Sequence, residues 1–278
     1  MKWVFVNNQF IEKEKAFILT NDLAIQRGYA AFDYLRTRDH KPLFLDDYLT
    51  RFFNSAREMF INIPLSKEAV KEVILQLIER NGMPESGIRL VATGGYSPDS
   101  YTPVAGNLII NQEPITLISE DKFFAGVKIM THEYMRDLPG VKSINYLMGI
   151  WLQQQLRAKQ LDDVLYYHNG IVTEFPRANV FIVTKEGELV TPAQNVLEGI
   201  TRKRILEFGH KLVPTVMRDI HIDELRDAAE VFMTSTTKRI LPIVEIDGKP
   251  VGAGKVGSVS ILLNQKFLEV EEEYLRSH

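Results

Sequence analysis

Apolar residues occur in short runs in the first part of the chain, and several of these runs have the length of strands. The runs 3–6 and 10–11 flank Asn7-Asn8, so they predict two strands joined by a turn. Further apolar runs at 88–93 and 108–110 predict two more strands in the same part of the chain.

Two stretches between these strands have the apolar spacing of three and four residues that is typical of amphipathic helices. Asp46 or Asp47 is expected to cap the first helix, whereas Ser66 is expected to cap the second, which ends at Asn81-Gly82. The apolar positions are Tyr48, Phe52, Ala56 and Met59 in the first helix and Val70, Val73, Ile74, Leu77 and Ile78 in the second. Strands and helices are thus mixed in this part of the chain.

The second part opens with a predicted strand at 127–130 and reaches a turn at Pro139-Gly140, directly before Val141-Lys142. A helix is expected to follow Lys142. Its apolar side is formed by Ile144, Leu147, Met148, Trp151 and Leu152. Lys142 is therefore predicted at the start of a helix.

Two hairpins are predicted further along the chain. Asn169-Gly170 lies between apolar runs and is the strongest short hairpin signal, while the second hairpin spans 180–190 and turns at 185–187. A strand at 231–233 and a final helix at 259–275 complete the pattern.

The mixture predicts an α+β or mixed α/β fold with two domains. We place an N-terminal α/β domain at 1–115, a linker at 116–126 and a larger C-terminal domain at 127–278.

Composition narrows the possible functions. The chain has 278 residues, of which 45% are hydrophobic and 25% charged, which suits a globular protein with a sizeable core. The net charge of −3 provides no field that would attract nucleic acid. Without cysteine there is no disulfide or thiolate chemistry. The N-terminal stretch lacks the apolar core of a signal peptide, and no apolar run reaches the roughly 18 residues of a membrane span, so we expect a cytoplasmic protein.

Common catalytic patterns are absent from the sequence. It contains no GxSxG, Walker phosphate loop, HExxH or GxGxxG motif, and its histidines have no metal-ligand spacing, so no metal site is expected. Lys142 draws attention because a cation is disfavoured at a helix N-terminus. A lysine held there could be neutral or bonded as a Schiff base, although an ordinary solvated lysine has the same pattern.

Three further segments could take part in chemistry. Glu174 follows the Asn-Gly hairpin, the helix start Gly199-Ile200-Thr201-Arg202 offers backbone amides and a hydroxyl to an anion, and 234–237 supplies four hydroxyls. Taken alone, these segments are equally an ordinary strand-end carboxylate, a helix cap and a turn.

Taken in this order, 141–145, 172–174, 199–202 and 234–237 resemble the fold-type IV family of pyridoxal-phosphate (PLP) enzymes. That family includes D-amino acid transaminases, branched-chain aminotransferases and aminodeoxychorismate lyases, and the likeness is closest to the first. It extends to 26–29, 47–52, 243–249 and 254–257, and so spans nearly the whole chain. The resemblance implies that the larger C-terminal domain binds PLP and has a barrel-like core.

The resemblance also implies a role for each matching residue. Lys142 matches the lysine that forms the Schiff base with PLP and transfers the proton, and Glu174 matches the carboxylate that bonds the pyridinium nitrogen. Leu197 matches an apolar residue packed against the cofactor ring. The residues that match the phosphate site are Arg51, Ile200, Thr201, Ser235 and Thr236.

The sequence departs from these relatives where the substrate carboxylate is bound. D-Amino acid transaminases have an Arg-x-His motif in the loop after the strand at 88–93, but here Asp99 and Tyr101 stand in those two positions. Asp99 would repel a carboxylate, so we expect this trap to be absent.

Other residues are candidates for the substrate site. Phe32 stands where many relatives have a tyrosine, and we expect Arg27 and Arg89 to bind the substrate carboxylate, with Arg177 as a third candidate. Structural salt bridges are the alternative interpretation of all three arginines.

The resemblance implies a transaminase that moves an amino group between a D-amino acid, such as D-alanine or D-glutamate, and a 2-oxo acid. An L-branched-chain aminotransferase is the first alternative and aminodeoxychorismate lyase the second. A non-catalytic PLP-binding scaffold is disfavoured because Lys142 and Glu174 are both present. In this family, substrate-site residues can come from a neighbouring subunit, so a homodimer with active sites at its interface is implied.

Overall fold

The computed structural model describes residues 2–277, which divide into two compact units. The first unit runs up to Thr116 and includes Val141–Asn145 and the chain from Tyr274 onward. The second unit comprises Leu117–Gly140 and Tyr146–Glu273. Helices and strands occur in both units, which confirms the predicted mixed α/β class.

The first unit contains a six-stranded antiparallel sheet in the order β2-β1-β6-β5-β3-β4. Its strands are β1 (Trp3–Val6), β2 (Gln9–Glu12), β3 (Ala30–Arg38), β4 (Lys41–Pro42), β5 (Ser86–Thr93) and β6 (Leu108–Glu113). Its helices are α1 (Leu23–Arg27), α2 (Leu45–Glu58) and α3 (Lys67–Asn81). The predicted hairpin at Asn7-Asn8 is confirmed by the pairing of β1 with β2.

Local signals set the bounds of α3, whereas the start of α2 differs from the prediction. The Ser66 hydroxyl accepts a hydrogen bond from Ala69 N at 3.2 Å, and α3 ends at Gly82, which has a φ of 63°. Helix α2 instead follows Phe44 and has no side-chain cap, so Asp46 and Asp47 lie in its first turn. Carboxylates in the first turn still favour the helix dipole, which explains why they mark this helix without capping it.

The second unit is built on a nine-stranded sheet in which β12-β11-β10-β13-β14-β7-β8-β9 are neighbours in that order and β15 pairs with β14. Its strands are β7 (Val127–Glu133), β8 (Asp163–His168), β9 (Ile171–Val172), β10 (Asn179–Val183), β11 (Leu189–Thr191), β12 (Thr215–Met217), β13 (Glu230–Ser235), β14 (Arg239–Ile246) and β15 (Lys249–Pro250). Its helices are α4 (Glu120–Ala125), α5 (Leu147–Trp151), α6 (Gln153–Ala158), α7 (Ile200–Gly209) and α8 (Ile222–Asp227), and α9 (Ser258–Ser277) continues into the first unit.

Both predicted hairpins of the second part are present. Strands β8 and β9 pair across Asn169-Gly170, and β10 pairs with β11 across the turn at 185–187. Strand β7 is parallel to both of its neighbours, β14 and β8. None of the helices within residues 2–277 is long and apolar enough to cross a membrane.

The prediction that Lys142 lies at the start of a helix is wrong. Helix α5 begins only at Leu147, and Lys142 belongs to an extended segment that pairs with β3. Phe32 N donates to Lys142 O at 2.8 Å, and Ile144 N donates to Ala30 O at 3.0 Å. These bonds to a distant strand fix the backbone in an extended form, and so the helical spacing does not decide the structure here.

Candidate active site

Lys142 is held within the first unit by β3 and α2. Its backbone N donates to the Ser55 hydroxyl at 3.1 Å, while its Nζ lies 4.6 Å from the centroid of the Phe32 ring. The side chain is half-buried, and an ammonium group above an aromatic face is electrostatically stabilised. The backbone of Lys142 is thus fixed on both sides of a partly accessible amine.

Arg51, the predicted phosphate-binding arginine, is held on the same helix as Ser55. Asp33 is fully buried and accepts from Arg51 Nη2 at 2.6 Å and from Arg51 Nε at 2.9 Å. Arg51 and Ser55 are four residues apart and therefore share one face of α2. Because Ser55 also bonds Lys142, the first unit brings two predicted cofactor residues to one side of this helix.

Glu174 lies in the second unit and is almost completely buried. Its Oε2 accepts from Leu197 N at 2.9 Å, and its Oε1 accepts from Arg136 Nε at 2.8 Å and Nη2 at 2.5 Å. Arg136 is almost buried too, and its Nη2 also donates to the carbonyl of Pro139. A guanidinium in this position favours the ionised form of the carboxyl group.

The sequence analysis missed Arg136. It follows β7 in a loop without regular structure, and the hydrophobic pattern gives no sign that it faces Glu174, which is 38 residues away in the chain. The pairing of Leu197 N with Glu174 does join two residues that were predicted to contact the same cofactor.

The start of α7 is the predicted phosphate-binding segment. Gly199 is its N-cap and Thr201 is buried in its first turn. A Cβ atom at Gly199 would lie 2.0 Å from Asn179 Oδ1, so only glycine allows this close approach. Asn179 Nδ2 in turn donates to Leu197 O at 2.8 Å, which fixes the loop before the helix.

Hydroxyl groups lie at the end of β13 in the same unit. Ser235 Oγ accepts from Lys238 N at 3.2 Å, and both Ser235 and Thr236 are half-buried. Thr234 Oγ1 is buried and, within the part of the chain that the structure describes, has no hydrogen-bond partner. A buried hydroxyl without a partner is costly unless a bound group satisfies it.

These residues have the chemistry that PLP requires. The first unit supplies a partly accessible amine and an oriented arginine, while the second supplies a buried carboxylate, helix N-terminal amides and hydroxyls. An aldehyde, a pyridinium nitrogen and a phosphate dianion each match one of these groups. The cofactor therefore fits the donor set that the chain provides.

Arg89 is placed beside the lysine half of this set. Its guanidinium carbon is 6.0 Å from the centroid of Phe32, the ring that Lys142 Nζ also faces, and 4.9 Å from that of Tyr34. Arg89 Nη2 donates to Glu113 Oε1 at 2.6 Å, so this arginine does form the salt bridge that was its alternative interpretation. The structure thus groups Phe32, Arg89 and Lys142.

The other two candidate arginines are exposed. Arg27 ends α1 and donates from Nη1 to Gln26 O at 2.9 Å, and Gly28 terminates the helix with a φ of 65°. Arg177 is exposed in the second unit.

Asp99 organises the loop in which relatives have their carboxylate trap. It accepts from Thr102 N and Thr102 Oγ1, both at 2.7 Å, from Ser97 Oγ at 2.9 Å and from Tyr101 N at 3.0 Å. These hydrogen bonds, led by the one from the Thr102 amide, hold the pKa of Asp99 well below its usual range. Tyr101 itself is 82% exposed. Asp99 is therefore a charged carboxylate that shapes its own loop.

Comparison with known proteins gives one consistent family. The family model for amino-transferase class IV matches residues 30–246. A D-alanine aminotransferase of Listeria monocytogenes is 31% identical over 96% of this chain and 95% of its own length. A putative branched-chain-amino-acid aminotransferase of Methanocaldococcus jannaschii is 29% identical over 98% of this chain and 97% of its own length.

A solved structure agrees with these relatives. A branched-chain amino acid aminotransferase from the organism abbreviated T.th., solved with pyridoxamine 5'-phosphate, superposes with a TM-score of 0.89 at 25% identity and covers 96% of this chain and 93% of its own.

Proposed function

Because the chain belongs to the class IV aminotransferases, which are PLP-dependent enzymes, we propose that it acts on D-amino acids. Its substrates are an amino acid of the D-alanine or D-glutamate type and a 2-oxo acid that receives the amino group. The similarity to D-alanine aminotransferases supports this choice.

In this proposal, Lys142 and Glu174 perform the proton chemistry. When bound, PLP supplies an electron sink for the negative charge that develops at the substrate α-carbon. Lys142 Nζ bonds the cofactor and, once released as an amine, moves the proton from the α-carbon. Glu174 holds the pyridine nitrogen in its protonated form, and Arg136 supports this role because it keeps the Glu174 carboxylate charged.

The remaining predicted residues bind and orient the cofactor. Arg51 and the amides of Ile200 and Thr201 carry positive charge toward a phosphate, and the hydroxyls of Ser235 and Thr236 complete its ligands. Leu197 packs against the cofactor ring, and its backbone bond to Glu174 supports this position.

The observation that carries the substrate assignment is the position of Arg89. This guanidinium and Lys142 Nζ both lie over the Phe32 ring, so a substrate whose α-carbon meets Lys142 has a cation close to its carboxylate. Glu113 orients the arginine through two of its five donor hydrogens. We assign the substrate carboxylate to Arg89 and Arg27, with Arg177 as a further contributor and Phe32 lining the pocket.

The subunit arrangement is also part of the proposal. Leu147, Ile150 and Trp151 of α5 are between 66% and 75% exposed, and clustered exposed apolar side chains mark association surfaces. We assign this surface to a homodimer contact, which brings substrate-site residues from the neighbouring subunit. Light scattering at working concentration should give twice the mass of the chain, and a monomer would contradict the assignment.

A comparison of enantiomers tests the reaction. Purified protein should convert D-alanine with 2-oxoglutarate, or D-glutamate with pyruvate, faster than it converts L-leucine with 2-oxoglutarate. Turnover of L-leucine without turnover of either D-amino acid would replace the proposal by an L-branched-chain aminotransferase, which the relatives named for branched-chain amino acids favour. Release of pyruvate from aminodeoxychorismate as the sole activity would identify a lyase.

An Arg89→Ala variant tests the carboxylate site. We expect the KM for the amino acid to rise about tenfold or more, because a charged hydrogen bond to the substrate is lost, while PLP stays bound. Arg80→Ala is the matched control, since Arg80 lies exposed on α3 and faces the Phe10 ring. An unchanged KM in the Arg89 variant would refute the role of this arginine.

A further inference from the structure

Arg202 is a buried cation in the first turn of α7. Its side chain hydrogen-bonds to neutral acceptors: Nε donates to Thr191 Oγ1 at 3.2 Å, and Nη2 donates to Pro192 O at 2.8 Å and to Met217 Sδ at 3.5 Å. Only 6% of the residue is exposed. Among the salt bridges of residues 2–277, none involves Arg202, so no carboxylate neutralises it directly.

This position is unfavourable for a positive charge on two counts. A buried charge is costly unless an opposite charge is present, and the N-terminal turn of a helix carries a partial positive charge of its own. Burial lowers the pKa of Arg202, although Glu198 and Glu174 raise it from longer range. Apolar residues of similar length would avoid both costs.

The guanidinium is also held in a defined place. Thr191 Oγ1, which accepts from Arg202, donates its own hydrogen to Val180 O at 2.7 Å. Pro192 begins the segment that leads through Leu197 to the start of α7. The charge is therefore fixed directly behind the helix N-terminus and cannot swing out to solvent.

We propose that Arg202 is a positioning residue for the cofactor phosphate, which it attracts through its buried charge without contacting it. This inference rests on the proposed function, in which the amides of Ile200 and Thr201 bind that phosphate. A dianion at the helix N-terminus compensates both the buried guanidinium and the helix dipole. Arg202 thus lowers the stability of the cofactor-free protein and increases the affinity for a phosphorylated ligand.

Binding of PLP and of pyridoxal, which lacks the phosphate, separates this role from others. Full-length protein freed of cofactor would be titrated with each ligand and followed by absorbance, for wild type, Arg202→Lys, Arg202→Gln and Arg202→Met. The uncharged Gln and Met variants should raise the Kd for PLP about tenfold, whereas Arg202→Lys should stay within about threefold of wild type. The Kd for pyridoxal should be the same in all four proteins.

A second measurement uses inorganic phosphate and the unfolding temperature of the cofactor-free protein. Arg202→Met should unfold at the same or a higher temperature than wild type, and added phosphate should raise this temperature less than it does in wild type. A purely structural clip predicts the opposite, namely a lower unfolding temperature and weaker binding of both PLP and pyridoxal.

Two further outcomes overturn the inference in distinguishable ways. Equal weakening of PLP and pyridoxal without loss of stability would mean that Arg202 acts through Glu174 and not through the phosphate. Unchanged PLP affinity in both uncharged variants would remove any role in binding. If wild-type protein failed to bind PLP at all, the proposed function itself would be wrong.

Discussion

At the scale of single residues, the backbone of Lys142 is fastened to β3 and to Ser55, whereas its amine remains partly accessible. Replacement by alanine removes the amine without disturbing these backbone bonds. We expect Lys142→Ala to fold, to lose the near-visible absorbance band of the bound cofactor, and to lose activity by about 10³-fold or more, since both bonding and proton transfer are lost.

Lys159→Ala is the control for this prediction, because Lys159 is exposed and lies outside the predicted site. Both variants would be compared by absorbance and by initial rates. A Lys142 variant that keeps its band and more than about one tenth of the wild-type rate would show that another group bonds the cofactor.

The pair of Arg136 and Glu174 is buried on both sides, with side-chain exposures of 11% and 6%. Arg136→Met leaves the Glu174 carboxylate without its cation, and breaking a buried ion pair in this way costs about 3–5 kcal/mol. Urea unfolding should show a loss of this order. Arg226→Met, at an ion pair whose arginine is 46% exposed, should change stability little. Equal stability of the two variants would contradict a buried pair.

The residues of the candidate site were predicted unevenly, and the reason is physical. Lys142, Glu174 and Thr201 lie in motifs whose order along the chain resembles a known family. Arg136 and Asp33 act through partners that are 38 and 18 residues away, and nothing in their immediate sequence indicates such contacts. The contacts of a buried charge depend on tertiary structure, which local pattern does not encode.

At the scale of elements, the segment that ends in Gly199 links several predicted cofactor residues. Gly199→Ala would place a Cβ 2.0 Å from Asn179 Oδ1, so the amide must move and its bond to Leu197 O must break. Because Leu197 N also bonds Glu174, we expect the PLP affinity to fall about tenfold or more. Absorbance titration of the cofactor-free variant measures this change.

Gly140→Ala is the matched control, since a Cβ there meets no atom within 4 Å. The alanine variant of Gly140 should bind PLP like wild type. Wild-type affinity in the Gly199 variant would show that the segment adapts without cost and that its close approach to Asn179 is not required.

The elements themselves were predicted best where the signal is local. The Ser66 cap, the terminal Gly82 and the Asn169-Gly170 turn act over a few residues, and each is confirmed. The start of α2 and the delayed start of α5 were missed, because a left-handed Phe44 and the pairing of Lys142 with β3 decide them. Apolar periodicity does not report which distant strand a segment will join.

At the scale of the whole molecule, the first unit contains segments from three parts of the chain. Tyr274 packs against Phe44 with ring centroids 4.7 Å apart, and Lys41 Nζ donates to Leu275 O at 2.9 Å. Burial raises the pKa of Tyr274, which agrees with its packed position. A division into contiguous stretches such as 1–115 and 127–278 cannot express this arrangement, because composition does not tell which unit a late helix completes.

Removal of the Tyr274 ring tests how much the first unit depends on the end of α9. Tyr274→Ala should lower the free energy of unfolding by about 2 kcal/mol, since it leaves a void beside Phe44. Amide hydrogen exchange should increase mainly in β3, β4 and α2. Tyr101→Ala is the control, because that side chain is 82% exposed. Unchanged exchange in these elements would show that the contact contributes nothing.

The return of α9 to the first unit also affects how the protein is made. Domains generally fold as units while the ribosome still extends the chain, beginning from the N-terminal end. Here the segments up to Thr116 must wait for Val141–Asn145 and for the last turn of α9, from Tyr274. The second unit has been translated in full, up to Glu273, before the last segment of the first unit emerges. The first part of this protein to be synthesised is therefore the last to be completed.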